Sequence, residues 1–495
     1  MRTRYVEAYM KVVLAGYNVD AEILRELKEK SRWDADNVTP ETLSAAYARI
    51  SRDPRDIEEL RADSRTATDK ARRSNETIIF GLGHASVAEH AVFNLDIIGV
   101  SRLAAEAVQQ FRLAAYTEKS QRYITLDGDF VTPPGITAAG LEKKFRAAVA
   151  FQNDTYRELY AALKTRLFKK HADLLATKNG ERTVDGWAKE DARYVVGLAT
   201  ATQFGMTVNA RELEHVLRRL RADRRGEIRT LAEALHAPLA ALSPSIIKYA
   251  RPTGYDTDRV EELALLAQRT LSQATGSSGE LVRLVAHTDD PDLALCAALL
   301  FRYGGVAYDA ARAAAGAMSA ADRRELVRTA LSQRSCWDRV DRAFEAMEFS
   351  FELIVSATNY AQLKRHRMTT QLVQDYEPAL GVTVPPNIIE IGMEKEFQAA
   401  IARGEECYAT LAGKIPEERD YILTNAHRRR VLIKLNAREL YHFAALREDE
   451  HAQWDIRETA RLMREAAERV APLTMMMLCG KSDFDARRTE ILGTE

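Results

Sequence analysis

A chain of 495 residues has room for two to four domains with sizeable buried cores. Its formal charge of -1 argues against a bulk binder of nucleic-acid polymers or of membrane surfaces. The four cysteines, Cys296, Cys336, Cys407 and Cys479, form no Cys-x-x-Cys pair and no Cys/His ligand pattern, so they read as plain thiols of a reducing compartment and no metal is expected.

In chain order, the segment Met1 to Lys11 is charged and lacks the apolar centre of a signal peptide. No stretch approaches the roughly 20 apolar residues of a membrane span, so a cytoplasmic protein is expected. Lys11-Val-Val-Leu-Ala-Gly reads as a first strand. Ala, Leu, Arg and Glu at helical spacing follow over 20–30, 41–50 and 55–76. Val92-Phe-Asn-Leu-Asp-Ile-Ile alternates apolar and polar residues, as a half-buried strand does. Helices are predicted over 136–170, 211–236 and 257–274. Ser272-Gln-Ala-Thr-Gly-Ser-Ser-Gly279 is small, polar and glycine-bearing, the composition of a linker. It divides the chain into 1–275 and 276–495. Leu281-Val-Arg-Leu-Val opens the second half as a strand. A helical stretch over 308–332, a strand at Phe349-Ser-Phe-Glu-Leu-Ile-Val and helices over 395–413 and 437–471 complete it. Both halves run strand, helix, strand, helix, long helix, the order of two α+β units of one fold.

A repeat supports that division. Asn-Ala-Arg-Glu-Leu occurs at 209–213 and at 436–440, each copy followed by a histidine, His215 or His442. Each runs on to Glu/Asp-Ile-Arg, at 227–229 and 455–457. A polar repeat of this length does not come from core periodicity, which fixes apolar positions alone.

Two further stretches carry chemistry. Residues 84–123 hold His84-Ala-Ser86-Val-Ala-Glu89-His90, then Ser101-Arg102, then Glu118-Lys-Ser120-Gln-Arg122-Tyr123. On an extended backbone Glu118, Ser120 and Arg122 point to one side, where a hydroxyl and a guanidinium suit a phosphate. The other reading is a solvated polar loop. In Gln362-Leu-Lys-Arg365-His366-Arg367, Gln362 and Arg365 share a helix face. The three adjacent donors suit a diphosphate, or else make a basic helix end facing water. Asn436 and Arg447 stand eleven residues apart, within about 20° of one direction on a helix. The position eleven after Asn209 is Leu220.

With these residues assembled, the chain resembles the flavin-dependent thymidylate synthases. That family carries Arg-His-Arg-x-x-Ser-x-x-Glu-x-Ser-x-Arg-Tyr, preceded by a His-x-Ser/Thr-x-x-Glu-His turn and by a Gln three residues ahead of the first Arg. Its last helix reads Asn-Ala-Arg-x-Leu, passes through Leu-Arg and ends Ala-Gln-Trp-Glu-Ile-Arg. This chain has Leu446-Arg447 and Ala452-Gln-Trp-Asp-Ile-Arg457. The resemblance runs once through each half, with its signature divided between them. The first half keeps Glu118, Ser120, Arg122 and Tyr123, and has Ala107, Gln110 and Phe111 where the family has Gln, Arg and His. The second half keeps Gln362, Arg365, His366 and Arg367 and lacks the end of the signature. A nucleotide-binding Arg sixteen residues before Asn-Ala-Arg is Arg193 in the first half and is replaced by Asp420 in the second.

The resemblance implies an α+β fold in two tandem copies, with helices packed on a mixed sheet. It implies methylation of a uracil nucleotide, deoxyuridylate to thymidylate, with methylenetetrahydrofolate, FAD and NADPH. Catalysis falls to Arg447 and Ser120; substrate binding to Gln362, Arg365, Glu118, Ser120, Arg122, Arg193 and Arg447. FAD falls to Ser86, Glu118, Arg365, His366, Arg367, Asn436, Arg438 and His442. The family shares each nucleotide site between neighbouring subunits of a tetramer. The complementary losses therefore imply one composite site per tandem pair and a dimer of chains imitating that tetramer. A same-fold enzyme alkylating another pyrimidine nucleotide, and a non-catalytic flavin- or nucleotide-binding relative, stay open.

Overall fold

The computed structural model describes residues 6–30, 38–50, 53–272 and 279–493; most of the predicted linker lies outside them. The chain forms two compact units. The first comprises Met1–Thr275 together with Pro385–Thr424, and the second Gly276–Val384 with Asn425–Glu495.

Each unit is built on one four-stranded sheet. In the first, β1 (Lys11–Tyr17), β2 (Val92–Ser101), β3 (Ala115–Glu118) and β4 (Ala201–Asn209) lie in the order β1-β2-β4-β3. In the second, β5 (Val282–His287), β6 (Glu348–Ser356), β7 (Thr370–Tyr376) and β8 (Arg428–Asn436) repeat that order. All strand pairs are antiparallel, so the sheets are not the mixed ones expected. The α+β class and its duplication stand. The strands β2 and β6 fall where alternation places them, and β1 and β5 where the opening apolar runs of the two halves place them. The strands β4 and β8 alternate as well, with Phe204, Met206 and Val208 inward in one and Val431, Ile433 and Leu435 in the other. Their alternation is masked by glycine and threonine in β4 and by three leading arginines in β8.

Inward residues of the central strands meet the repeated helix. In the first unit Phe93, Leu95 and Ile97 pack with Leu213, Val216 and Leu217. In the second Phe349, Phe351 and Leu353 pack with Leu440, Phe443 and Met463. In β2 the register shifts between Ile98 and Val100, where Gly99 has φ +71°. A Cβ on Gly99 would stand 2.1 Å from the Tyr9 carbonyl oxygen, so glycine is required there.

The predicted long helices are each two. Ala210–Arg221 and Gly226–His236 replace 211–236, and Ala437–Arg447 and Trp454–Val470 replace 437–471. The break before Trp454 is set by Gln453, whose side chain accepts from the backbone N–H groups of Asp455 and Ile456. Likewise 308–332 is Tyr308–Ala317 and Ala320–Leu331, separated by the cap Ser319.

Residues 385–424, which the sequence assigns to the second half, pack within the first unit. The cause is the apolar face of the helix Glu394–Ala412, which buries Phe397, Ala400, Ile401 and Gly404. A Cβ on Gly404 would approach Gln152 of the helix Glu142–Lys170 to 2.8 Å. Beyond it, an antiparallel bridge joins Gly197 to Thr424. These residues stand twelve before Asn209 and twelve before Asn436 (209 − 197 = 436 − 424). The bridge thus pairs equivalent positions of the two copies, as an isologous contact does. Among the described residues, no helix is long and apolar enough to cross a membrane.

Candidate active site

The repeated peptides are explained first by folding. Asn209 and Asn436 are N-caps whose side chains accept from the N–H of Glu212 and Glu439 at 2.9 and 2.8 Å. The repeated acids lock the same corner in each copy. Ser101, the N-cap of the helix Arg102–Gln109, donates through N and Oγ to Glu227 at 2.8 and 2.6 Å. Ser356, the cap of the helix Ala357–Leu363, donates through Oγ to Asp455 at 2.5 Å. Ile228 and Ile456 are core residues, and Arg229 and Arg457 donate to loop carbonyls.

In the first unit the chemistry gathers behind β3. Glu118 accepts from Arg102 at 2.5 Å, Thr202 at 3.0 Å and Gln109 at 3.1 Å. Arg122 donates to Glu190 at 2.5 Å. Arg193 is buried nearby; burial pushes its guanidinium below the ordinary range, Glu190 opposes this, and Arg102 and Arg122 add to it. The guanidiniums of Arg102, Arg122 and Arg193 thus gather with the carboxylates of Glu118 and Glu190, a group rich in donors that suit an anion. The extended run ends earlier than expected. Past Glu118 the chain turns, with Ser120 Oγ accepting from the N–H of Arg122. Ser86 lies exposed on the short helix Ala85–His90. Arg102, Gln109 and Glu190 were not singled out as site residues; Glu190 pairs across 68 residues, which no local pattern reveals.

In the second unit a hydrogen-bonded chain joins both ends of the helix Ala437–Arg447 to the loop that follows the helix Ala357–Leu363. Arg447, the last residue of Ala437–Arg447, donates from Nε to His366 Nε2 at 2.9 Å. His366 Nδ1 meets Glu439 Oε1 at 3.1 Å. Arg447 also reaches the Gln362 carbonyl at 3.4 Å. His366 and Glu439 are buried. Since Arg447 is always a donor, the network assigns the neutral His366 hydrogen to Nδ1, where Glu439 accepts it. Burial holds the His366 ring below its ordinary value, against the upward pull of Glu439, and Arg447 adds to the depression.

Glu439, His366 and His442 bring potential metal-ligand atoms within 4.8 Å of one another. The tautomer argues against an ion. A metal at Nδ1 would move the hydrogen to Nε2, where Arg447 also presents one. Arg365 and Arg367 are exposed on either side of His366, so the three adjacent donors do not face one way. Arg438 is held by the Val340 carbonyl at 3.0 Å and by Glu345 at 2.8 Å. Asn436 lies one residue ahead of its helix, as the cap, so the eleven-residue spacing to Arg447 runs from cap to last turn.

The equivalent place in the first unit is apolar. Phe111 stands for His366 and Leu220 for Arg447, and both are buried. Phe111 meets the His215 ring edge-on at 5.3 Å. Asp420, at the position equivalent to Arg193, is buried, with Arg419 at 3.7 Å and Arg224 at 4.0 Å.

The chain matches the family described as "Thymidylate synthase complementing protein" twice, over residues 35–245 and 283–473. A UPF0159 protein of Chlamydia muridarum is 26% identical over 423 residues, covering 82% of this chain and 79% of that one. A flavin-dependent thymidylate synthase of Geobacter sulfurreducens is 33% identical over 219 residues, covering 43% of this chain and 83% of its own. The crystal structure of a UMP/dUMP methylase, PolB, from Streptomyces cacaoi bound with 5-Br dUMP covers 49% of this chain and 95% of its own at 18% identity, with a TM-score of 0.35. With both matched regions centred on the repeated sheets and helices, this chain belongs to the thymidylate synthase complementing protein family and carries its unit twice.

Proposed function

We propose that the chain is a flavin-dependent enzyme that methylates a uracil nucleotide at C5, converting deoxyuridylate to thymidylate with methylenetetrahydrofolate and NADPH. The observation that carries this reading is the division of charge between the copies. The Arg447–His366–Glu439 chain is kept in the second unit and replaced by Leu220 and Phe111 in the first. The Arg102, Arg122 and Arg193 cluster is kept in the first, while Asp420 stands in for Arg193 in the second copy. A chain losing function at random would not keep one complete set of donors across its two copies. The name of the Geobacter relative supports flavin chemistry.

In this reading Arg193, Arg122 and Ser120 hold the nucleotide phosphate, with Arg365 and Gln362 contributed by the other copy. Glu118 fixes Arg102 beside them. Arg447 is presented to the pyrimidine by its bond to His366, so its charge is placed before the reaction begins. Charge that develops on the ring as C5 becomes nucleophilic then meets a fixed guanidinium, at no reorganisation cost. The exposed Arg365 and Arg367 suit the FAD diphosphate, with Ser86 and His442 as further contacts. Flavin, when bound, supplies the hydride that completes the methyl group. No thiol is needed: burial pushes Cys296, Cys407 and Cys479 up to about 11. Two such chains, in the cytoplasm, pair to imitate a tetramer with half its sites.

The test is tritium release from deoxyuridylate labelled at C5, with flavin absorbance of the purified protein. Tritium release with a bound flavin is expected, and Arg365→Ala with Arg367→Ala should strip the flavin. A colourless protein that releases no tritium overturns the reading. Release from labelled uridylate alone reassigns the substrate to the ribonucleotide.

A further inference from the structure

At the end of the repeated helix of the first unit lies an open depression of about 540 Å³ lined by Arg221, Arg229, Thr230, Glu233, Arg251 and Pro252. The one carboxylate is spent within the wall. Glu233 takes a two-pronged bond from Arg221, Nε and Nη2 donating at 2.7 and 2.9 Å. Arg221 also donates from Nη1 to the Ala250 carbonyl at 2.9 Å, which ties the segment carrying Arg251 to the helix end. Arg229 bonds through Nη1 to the carbonyls of Asp223 and Arg224, partners that carry no formal charge. Arg251 is exposed. Three guanidiniums against one carboxylate leave the depression positive. The neighbouring His236 registers the same field: burial depresses its protonation, and Arg221 and Arg251 depress it further against Glu233.

The second copy shows what this region looks like without such an excess. Arg221 lies twelve residues after Asn209, and its equivalent twelve after Asn436 is Glu448. Thr230 and Glu233 lie four and seven after Gly226; their equivalents after Trp454 are Glu458 and Arg461. There Glu448 pairs with Arg464 at 2.9 Å and Glu458 with Arg461 at 2.6 Å. The charges of the second copy cancel internally. The first copy, whose helix is 11 residues against 17, has exchanged acids for Arg221 and Thr230.

We propose that this depression binds a phosphate-bearing small molecule, gripped by Arg229 and Arg251 over the Arg221–Glu233 floor, at a site separate from the nucleotide-binding residues. Guanidinium groups favour phosphate through paired, charge-assisted hydrogen bonds, while the Thr230 hydroxyl at the rim donates to the Gly226 carbonyl. The site does not depend on the proposed enzyme activity.

The test is calorimetric titration of the full chain with inorganic pyrophosphate, with citrate as a carboxylate control. Saturable binding of pyrophosphate at millimolar or lower concentration is expected, weakened by at least about tenfold in Arg251→Glu and in Arg229→Gln. Arg365→Ala, in the other unit, should leave that binding in place. Both variants at Arg251 and Arg229 alter exposed side chains, and circular dichroism checks their folding. Absence of saturable binding in the unaltered protein overturns the proposal. So does equal binding by both variants, or citrate binding as tightly as pyrophosphate.

Discussion

Replacing His366 with Phe and Arg447 with Leu would install in the second unit the pair that the first unit already has, Phe111 and Leu220. The single changes should cost more than half of the double. His366→Phe removes the acceptor of the Arg447 Nε–H and the donor to the Glu439 carboxylate. Hydrogen bonds to charged groups contribute about 1.5–3 kcal/mol each, so two lost together cost about 3–6 kcal/mol. Arg447→Leu leaves the neutral Nε2 of His366 without its donor and removes the longer bond to the Gln362 carbonyl, at about 1–3 kcal/mol. In the double variant no stranded guanidinium remains, and Leu packs on Phe as Leu220 and Phe111 do in their own core. The two changes should therefore fall short of additivity by about 1–3 kcal/mol. Amide exchange of the helix Ala437–Arg447 measures this locally, which matters because a two-unit chain need not unfold in one step. Additive costs within about 0.5 kcal/mol would show that the contact seen between His366 and Arg447 carries no coupling.

The division of the site predicts one deoxyuridylate bound per 495-residue chain; calorimetry giving two per chain would show that the place marked by Leu220 and Phe111 still works. Ser101→Ala and Ser356→Ala should each cost about 2–4 kcal/mol, since each loses a helix cap and a bond to an acid, buried Glu227 in one and half-buried Asp455 in the other; urea midpoints unchanged in either variant would refute the corner lock. A pH effect follows from His366. Its folded value lies below the unfolded value near 6.5, so the unfolded chain binds the proton first on acidification. The stability contributed by neutral His366 is present above about 6.5 and is lost as pH falls below it toward the folded value. His366→Gln should flatten the stability profile between about pH 7 and pH 5, and an unchanged slope there would remove His366 as its source.

The fold was legible where one principle acts alone. Alternation located β2 and β6, short apolar runs opening each half located β1 and β5, and the polar repeat located the duplicated helices. It was hidden where two signals overlap. In β8 three arginines lead into Val431, Ile433 and Leu435 and hide the alternation that follows. The excursion of 385–424 into the first unit was invisible for another reason. Its helix has an ordinary apolar stripe, and a stripe states that a face is buried without saying against what. Among the candidate residues, motif spacing singles out Arg447 and His366, which the structure joins by a hydrogen bond. Glu439 was not singled out, although Asn436 followed by Glu three residues later is the pattern of a capped helix start. Glu190 gave no local sign, because its partner Arg122 is brought to it by packing across the unit; Arg102 stood in the stretch 84–123, but nothing local paired it with Glu118.

The most visible feature of the sequence, Asn-Ala-Arg-Glu-Leu occurring twice, reports the fold rather than the chemistry. Asn caps its helix in both copies, Ala is buried in both, and Leu is core in both. The arginines differ in partner, Arg211 pairing with Glu89 and Arg438 with Glu345, so even the charged member is held by its own surroundings. What distinguishes the copies lies one to two turns further along. There a histidine and an arginine that need each other are either both present or both replaced by apolar residues. A buried guanidinium without its acceptor is costly, and so is a polar ring facing a new leucine. Loss of one partner therefore favours loss of the other. The same reasoning applies to the cationic depression of the first copy, where Arg221 and Glu233 persist as a bonded pair. Their equivalents in the second copy, Glu448 and Arg461, carry the opposite charges and pair elsewhere. Duplicated units thus diverge by exchanging bonded sets of residues, and the sets to compare between copies are the ones that share a hydrogen bond.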